Sequence, residues 1–502
     1  MLPAEDRLPD VEMLLERQEY FTVHAPRQSG KTTSFRSLAR RLNAEGRYTC
    51  LLFSCETGAR LEGDLGASID AVLDTLRQQA ETELDSALQP PPPDPSQPPS
   101  TRLRGLLSRW ARQSPRPLVL FFDEVDSLRD EALLSLLRQL RSGFDSRPEA
   151  FPQSVALIGL RDIRDYRIAS REGSYRLGTE SPFNINVASI RLRNFRRDEI
   201  ATLYHQHTQD TGQSFEQGAI DAVWRLTQGQ PWLVNALAAL AVEKFQPNRQ
   251  QAIAEKDIEA AKEELILNRG THLDSLVDRL REPRVQRVLE PILAGQLLAP
   301  NVLDDDLEFA KDLGLVVESA EGLVIANAIY QEVIPRALSA LLQGSIPMPT
   351  VRFVDEQGLL DADALFRAFD AFWREHSESL MAQAPWAEAA AQLVFMAFLQ
   401  RLINSGGSVE REYGIGRGRI DLLVRWPATN WKQRLAIELK VWRPGGVNPA
   451  PAGFDQLAGY LEKLSLDHGY LVIFDQRPDR PAEAALPTTV DHRAKKITLW
   501  SF

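Results

Sequence analysis

The stretch "YFTVHAPRQSGKTTSF", Tyr20 to Phe35, constrains the fold more than any other. A short apolar run leads into a turn, then into Gly30, Lys31 and Thr32, then into the helical pattern TTSFRSLARRL. The N–H groups of such a loop, and the start of the helix it opens, form a ready anion site. A lysine there reaches β- and γ-phosphates, and a Ser/Thr hydroxyl binds magnesium. The expected phosphate-binding residues are Gln28, Ser29, Gly30, Lys31, Thr32 and Thr33. The usual spacing has a glycine where Ala25 stands. A methyl group fits at that place if φ stays negative, since only positive φ calls for glycine.

The neighbouring sequence supplies the sheet that such a loop needs. Tyr20–His24, Thr49–Ser54, Leu118–Phe122 and Val155–Gly159 are continuous apolar runs set among helical patterns at Gly63–Ala87 and Arg102–Gln113. That alternation predicts a parallel sheet covered on both faces. The proline-rich "QPPPPDPSQPP", Gln89–Pro99, reads as a surface loop inside the same domain. "PLVLFFDEVDSL" is a strand ending in Asp123 and Glu124. Asp123 is placed to hold magnesium, and Glu124 to orient or deprotonate the attacking water. "VALIGLRD" ends in Arg161, which at the carboxyl end of a doubly wound sheet is either a γ-phosphate contact or a plain surface arginine.

From Arg196 to Leu267 the pattern is helical throughout. "RVQRVLEPILAG" and "DDDLEFAKDLGLV" then read as two helices, and "VVESAEGLVIAN" as a hairpin. Helices closed by a hairpin suggest a winged helix over Asp274–Leu342. "DDDLEFAKDLGLV" is too acidic for a good major-groove reader, so a coupling or protein-contact role fits better. "GSIPMPT", Gly344–Thr350, is the candidate linker.

The last segment carries a second set of chemistry. In "GRGRIDLLVRWPATNWKQRLAIELKVWR", Asp421 starts one strand, and Glu438 and Lys440 lie two apart on the next. Antiparallel pairing brings Asp421 to Glu438, while the period of two puts Glu438 and Lys440 on one face. Two carboxylates and a lysine together suit a magnesium ion, with Lys440 positioning a water or stabilising charge. The following helix "FDQLAGYLEKL" places Gln456 and Tyr460 one turn apart. Arg417, Arg419, Trp442 and Arg443 either contact phosphates and bases or are ordinary surface residues.

Composition sets the boundary conditions. The 502 residues are 43% hydrophobic and 25% charged, which fits several globular domains. The net charge of −11 excludes a wholly cationic nucleic-acid binder. Arg401–Phe502, however, holds 15 lysines and arginines against 11 acids, so it is the basic end of the chain and suits a polyanion. Two cysteines, Cys50 and Cys55, fit a reducing compartment. With no signal-peptide pattern and no apolar run near the ~20 residues of a membrane helix, the expectation is a cytoplasmic protein with no membrane partner.

APRQSGKTT, LFFDEVD, ALIGLRD and TQGQPWLVN, in that order, resemble the AAA-like ATPase domains related to the signal-transducing STAND ATPases. The resemblance implies ATP and Mg2+ as cofactors. It implies Arg161 as a γ-phosphate sensor, Gly229 and Pro231 as the lid's approach to the nucleotide, and a winged helix after the lid. Ala25 departs from the pattern. So does the short lead of about twenty residues before the loop, where relatives usually carry adenine contacts. The last segment resembles the PD-(D/E)xK nuclease superfamily, in the branch fused to AAA-like ATPases. That resemblance implies Asp421, Glu438 and Lys440 as catalytic residues, with Asp421 and Glu438 as metal ligands and Gln456 and Tyr460 as accessories. Glu388 is either the family's helix acid or a solvated residue.

The expected chain is therefore a multidomain α/β protein. It has a P-loop AAA-like core at 1–195, a helical lid at 196–270, a winged helix at 271–343 and a restriction-endonuclease-like α/β domain at 355–502. Its expected function is an ATPase that regulates a magnesium-dependent nuclease acting on nucleic acid, DNA first. The alternative is a nucleotide switch whose C-terminal domain binds without cutting. A homo-oligomer with an arginine finger from a neighbouring subunit is compatible with the sequence, and no single arginine is singled out.

Overall fold

The apolar runs of the first half pair into one sheet. In the computed structural model the described residues are 7–60, 64–128, 130–161, 167–170, 173–176, 185–268, 271–293, 304–320, 322–343, 353–355, 358–383, 389–403, 408–415, 418–427, 432–477 and 487–502. They divide into two units: Met1–Leu267 with Lys311–Leu315, and Asn268–Ala310 with Val316–Phe502. Of the expected segments, the core and residues 196–267 of the lid fall in the first unit, and the other two fall in the second except for Lys311–Leu315.

In the first unit the order is α1 (Val11–Glu16), β1 (Tyr20–His24), α2 (Lys31–Glu45), β2 (Thr49–Ser54), α3 (Leu65–Glu83), α4 (Pro99–Gln113), β3 (Leu118–Asp123), α5 (Asp130–Gly143) and β4 (Ser154–Gly159). A hairpin, β5 (Arg167–Ser170) and β6 (Gly173–Arg176), precedes β7 (Asn186–Arg191). The sheet order is β2-β3-β4-β1-β7, and all its pairs are parallel. Strand β3 explains why the run is apolar without alternation. Its Leu118, Leu120 and Phe122 enter the core on one face, while Val119 and Phe121 enter the core on the other. Both faces are buried, so every position must be apolar. Truncating one of these, Phe121→Ala, would cost about 3–5 kcal/mol through lost burial and a cavity. The fifth strand, β7, was not among the four expected. Its sequence NVASIR is only half apolar, because Ala188 and Ile190 pack against one core while Ser189 and Arg191 are exposed.

The stretch after the sheet is helical as expected: α6 (Arg197–Thr211), α7 (Gln217–Thr227), α8 (Pro231–Leu240) and α9 (Glu255–Asn268). Pro231 sits in the first turn of α8, where its missing N–H costs nothing, and the Gln230 side chain accepts from Leu233 N at 2.6 Å.

The second unit begins with α10 (Thr271–Arg279), α11 (Pro283–Leu293), α12 (Asp305–Asp312, whose last two residues belong to the first unit), the antiparallel hairpin β8 (Val316–Ser319) and β9 (Gly322–Ile325), and α13 (Ala328–Gln343). It continues with α14 (Ala362–Gln383), α15 (Ala390–Ile403), β10 (Ser408–Ile415), β11 (Gly418–Pro427), β12 (Lys432–Trp442), α16 (Ala450–Leu464), β13 (His468–Asp475), β14 (Thr488–His492) and β15 (Lys495–Ser501). The helix α13 packs on α15 and β10, with Ser339 Oγ 2.8 Å from Gln400 Oε1 and Arg336 donating to Val409 O at 3.2 Å. The candidate linker Gly344–Thr350 lies outside the described residues.

The six-stranded sheet runs β10-β11-β12-β13-β15-β14. On β12, Leu435, Ile437 and Leu439 enter an aromatic-rich core built with α14 and α15. Ala436 faces the other core, which α16 covers with Leu457, Ala458 and Leu461. By the period of two, Glu438 and Lys440 share the Ala436 face and so look towards α16. Among the described residues no helix is long and apolar enough to cross a membrane.

Candidate nucleotide and metal sites

The loop between β1 and α2 has the backbone of a phosphate cradle. Gly30 adopts φ +83° and Gln28 φ +56°, so the chain reverses tightly into the helix. Ala25 is not among the residues with positive φ; it is fully buried, and its N–H donates to Gly159 O at 3.3 Å. The methyl group is accommodated. Lys31 Nζ donates to Ala25 O at 2.7 Å and Pro26 O at 2.9 Å, folded back along the loop. Burial lowers its pKa to about 8, against the pull of Asp126, Asp123 and Glu124. Ser29 is 2% exposed, and its Oγ is buried without a hydrogen-bond partner. Thr33 is exposed in the first turn of α2.

The acids at the end of β3 close on this loop. Thr32 Oγ1 donates to Asp123 Oδ2 at 2.5 Å, and Glu124 N donates to Asp123 Oδ1 at 3.0 Å. Burial raises the Asp123 pKa, against the Thr32 hydrogen bond. The Thr32 hydroxyl and the Asp123 carboxylate are hard oxygen donors side by side, and the orphaned Ser29 Oγ is a buried polar atom awaiting a partner. The residues therefore fit a nucleoside triphosphate with magnesium. Glu124 adopts φ +53°, and its Oε2 accepts from Ser54 Oγ at 2.6 Å. Ser54 ends β2 directly opposite Asp123 in the register. Arg161 follows β4; its Nε donates to Asp312 Oδ2 at 3.1 Å. The other oxygen of Asp312 lies 3.7 Å from His24 Nδ1. Gly229 adopts φ +73° and packs against Phe195, whose N donates to Gly229 O at 2.9 Å. Pro231 is buried beside it at the start of α8.

In the second unit, β11 and β12 are antiparallel with Leu422 opposite Ile437, which sets Asp421 beside Glu438. Asp421 Oδ2 accepts from Leu439 N at 2.8 Å. Glu438 is 0% exposed; its Oε1 accepts from Lys440 Nζ at 2.7 Å, and its Oε2 is buried with no partner. Burial, followed by the Asp421 charge, pushes the Glu438 carboxyl well above the usual carboxylate range. Lys440 Nζ also donates to Gln456 Oε1 at 2.9 Å, and Gln456 Nε2 donates to Tyr460 OH at 3.1 Å. An orphaned carboxylate oxygen beside a second carboxylate fits a hard cation. Among the described residues, however, no three His, Cys, Asp or Glu side chains converge as a metal cluster. Trp442 is engaged by Arg477, whose guanidinium lies 3.4 Å from the ring centroid and is itself held by Asp475. Arg443 is half-buried, and Arg419 lies on β11. Glu388 and Arg417 lie outside the described residues.

Residues 11–151 match the family model described as AAA ATPase domain. The N-terminal region is an AAA-type P-loop ATPase domain. Solved structures similar to the chain include the RuvB Holliday junction branch migration motor of Thermotoga maritima, at 15% identity and a TM-score of 0.35, covering 64% of this chain and 90% of that one. Another is Cdc6p of Pyrobaculum aerophilum, at 14% identity and a TM-score of 0.37, covering 68% and 94%. A third is domain III of the replication initiation protein DnaA of Thermotoga maritima, at 11% identity and a TM-score of 0.33, covering 53% and 93%. At these scores the likeness carries no functional weight. No curated protein sequence matches the chain.

Within the AAA domain the structure brings Gly30, Lys31, Thr32, Asp123 and Glu124 to one end of the sheet. Arg161 sits at the same end but is held by Asp312. Gly229 packs against Phe195, and Pro231 is buried two residues on, at the start of α8. Four residues of this neighbourhood escaped sequence reasoning. Asp126 is one: burial raises its pKa, Lys31 is the strongest charge opposing that shift, and Leu160 N–H bonds to it. It was visible as the fourth letter of DEVD. Ser54 was visible only as the last residue of its strand. Arg7 precedes APRQSGKTT by 18 residues, and Asp312, inside the acidic stretch DDDLEFAKDLGLV, follows TQGQPWLVN by 77; nothing local tied either to the site.

Proposed function

We propose that the AAA domain uses ATP to govern a magnesium-dependent nuclease in the C-terminal sheet, acting on nucleic acid and first of all on DNA. The observation that carries this reading is the Asp421–Glu438–Lys440–Gln456 cluster, in which a fully buried carboxylate keeps one oxygen without a partner. Burying such a group is costly unless a ligand completes it. In this reading Asp421 and Glu438 would hold magnesium, which supplies the positive charge that polarises a phosphodiester. Lys440 orients the water and meets developing negative charge, and Gln456 holds Lys440 in place. In the AAA domain Thr32 and Asp123 would hold the nucleotide's magnesium. Lys31 would reach the γ-phosphate, Arg161 would do so on leaving Asp312, Glu124 would orient the attacking water, and Gly229 with Pro231 would carry the lid. The segment 271–343 is proposed as a winged helix that relays the nucleotide state, and residues 355–502 as the nuclease domain.

The test is incubation of the full-length protein with linear, circular and single-stranded DNA, with and without ATP and magnesium. Asp421→Asn and Lys440→Ala should lose cleavage and keep ATP hydrolysis. Cleavage that survives both changes removes the nuclease reading.

One observation favours a second reading. Only two carboxylates converge among the described residues, which suits a nucleotide switch whose C-terminal domain binds a partner or DNA without cutting. Calorimetry with Mn2+ in the absence of nucleotide separates the two. A site that disappears in Glu438→Gln supports the nuclease, and no site in the wild type supports the switch.

A further inference from the structure

Arg7 lies in the short lead before the phosphate-binding loop, yet it is only 5% exposed. Its Nη2 donates to Ser29 O at 2.9 Å and to Arg193 O at 2.6 Å, and its Nη1 reaches Ser34 Oγ at 3.4 Å. The guanidinium carbon lies 4.8 Å from the centroid of the Phe195 ring. A buried arginine this close to the loop would ordinarily be matched by a carboxylate. Here the hydrogen bonds go to carbonyl oxygens and a hydroxyl instead. The nearest acid that acts on it, Glu199, is already committed in a two-point pair with Arg193, at 2.6 Å on each oxygen. Burial accordingly lowers the Arg7 pKa to about 10.

These contacts span two parts of the ATPase. Ser29 and Ser34 belong to the loop and to α2. Phe195 belongs to the entry into the lid: its N–H donates to Gly229 O at 2.9 Å, and a Cβ on Gly229 would stand 1.9 Å from Phe195 O. Phe195 therefore touches Arg7 with its ring and Gly229 with its backbone. The guanidinium is planar, and two carbonyls on Nη2, the Ser34 hydroxyl near Nη1 and the Phe195 ring beneath it constrain its orientation. A shift of the lid at Gly229 moves Phe195, and with it the group that grips the Ser29 carbonyl.

We propose that Arg7 is a positioning residue for ATP hydrolysis, tying the phosphate-binding loop to the helical lid so that the two adopt their working geometry together. It touches neither phosphate nor water in this role; it acts through Ser29 and Phe195. Lysine is a poor substitute, because its ammonium lacks the planar fork that sends Nη2 to both carbonyls and Nη1 towards Ser34 while a flat face meets the ring.

The test uses the full chain, Mg-ATP, and the variants Arg7→Lys and Phe195→Leu. The second keeps the Arg7 hydrogen bonds and most of the packing volume but removes the ring. Misplacing a catalytic loop by about 1 Å costs on the order of 100-fold, so kcat should fall about 10- to 100-fold in Arg7→Lys, with KM moving less. Hydrogen exchange supplies the readout that a merely structural role would not move. ATP should protect both the loop and Pro231–Leu240 in the wild type, but only the loop in each variant. The double variant should lose little more than the worse single one. Wild-type lid protection in either folded variant, or effects of the two changes that multiply, would overturn the proposal. If Arg7→Lys does not fold, Phe195→Leu decides alone.

Discussion

Gly229→Ala is the sharpest perturbation the first unit offers. Gly229 holds φ +73°, a conformation that costs an L-residue roughly 1–2 kcal/mol. The added methyl would stand 1.9 Å from Phe195 O, where real contacts keep beyond 3.0 Å. The backbone at Phe195 or Gly229 must therefore move by about 1 Å, the gap between these two distances. Such a move breaks the 2.9 Å bond from Phe195 N to Gly229 O, worth about 1 kcal/mol net. The sum is roughly 2–3 kcal/mol. In a unit of this size that lowers the unfolding midpoint by roughly 4–12 °C. The same displacement reaches Arg7 through the Phe195 ring, so ATP turnover should fall about 10- to 100-fold. Thermal unfolding and a phosphate-release assay on the full-length protein measure the two effects. An unshifted midpoint together with wild-type turnover would refute the reasoning, because it would mean that the lid entry tolerates a side chain at this φ.

Ala25→Gly should leave nucleotide affinity within about twofold, since the alanine already fits without positive φ; a fluorescent-nucleotide titration checks it. Asp312→Asn removes the charge that holds Arg161, and ATP affinity relative to ADP should rise by about tenfold, on the scale of one charge-assisted hydrogen bond; competition binding reads the ratio. Burial lowers the pKa of His272 to about 4, while its Nε2 sits 2.6 Å from Tyr330 OH. The unfolded chain therefore takes up this proton first. Stability is intact above the ordinary histidine range and falls as pH drops from about 6.5 towards 4, by up to roughly 3 kcal/mol. Urea unfolding of the wild type and His272→Phe across that window should show the slope in the first and a flatter profile in the second.

Much of the AAA domain could be read from the chain alone, because its chemistry is local. The loop, its lysine and its threonine are consecutive in sequence, and so are Asp123 and Glu124. Strands buried on both faces must be continuously apolar, which made four of the five plain; Asn186–Arg191 escaped because its exposed Ser189 and Arg191 break the run. The pairing of Asp421 with Glu438 and the single face shared by Glu438 and Lys440 also followed from strand periodicity. Tertiary structure alone decided the rest. It brought Arg7 to Ser29, Ser54 to Glu124 and Asp312 to Arg161 across 22, 70 and 151 positions. It left one oxygen of Glu438 buried and unpartnered, although Lys440 was available to the other. Sequence carries the short-range geometry of a motif because neighbours along a strand or turn have few relative positions open to them. Which distant side chain completes the motif depends on how whole elements pack, and no local pattern encodes it.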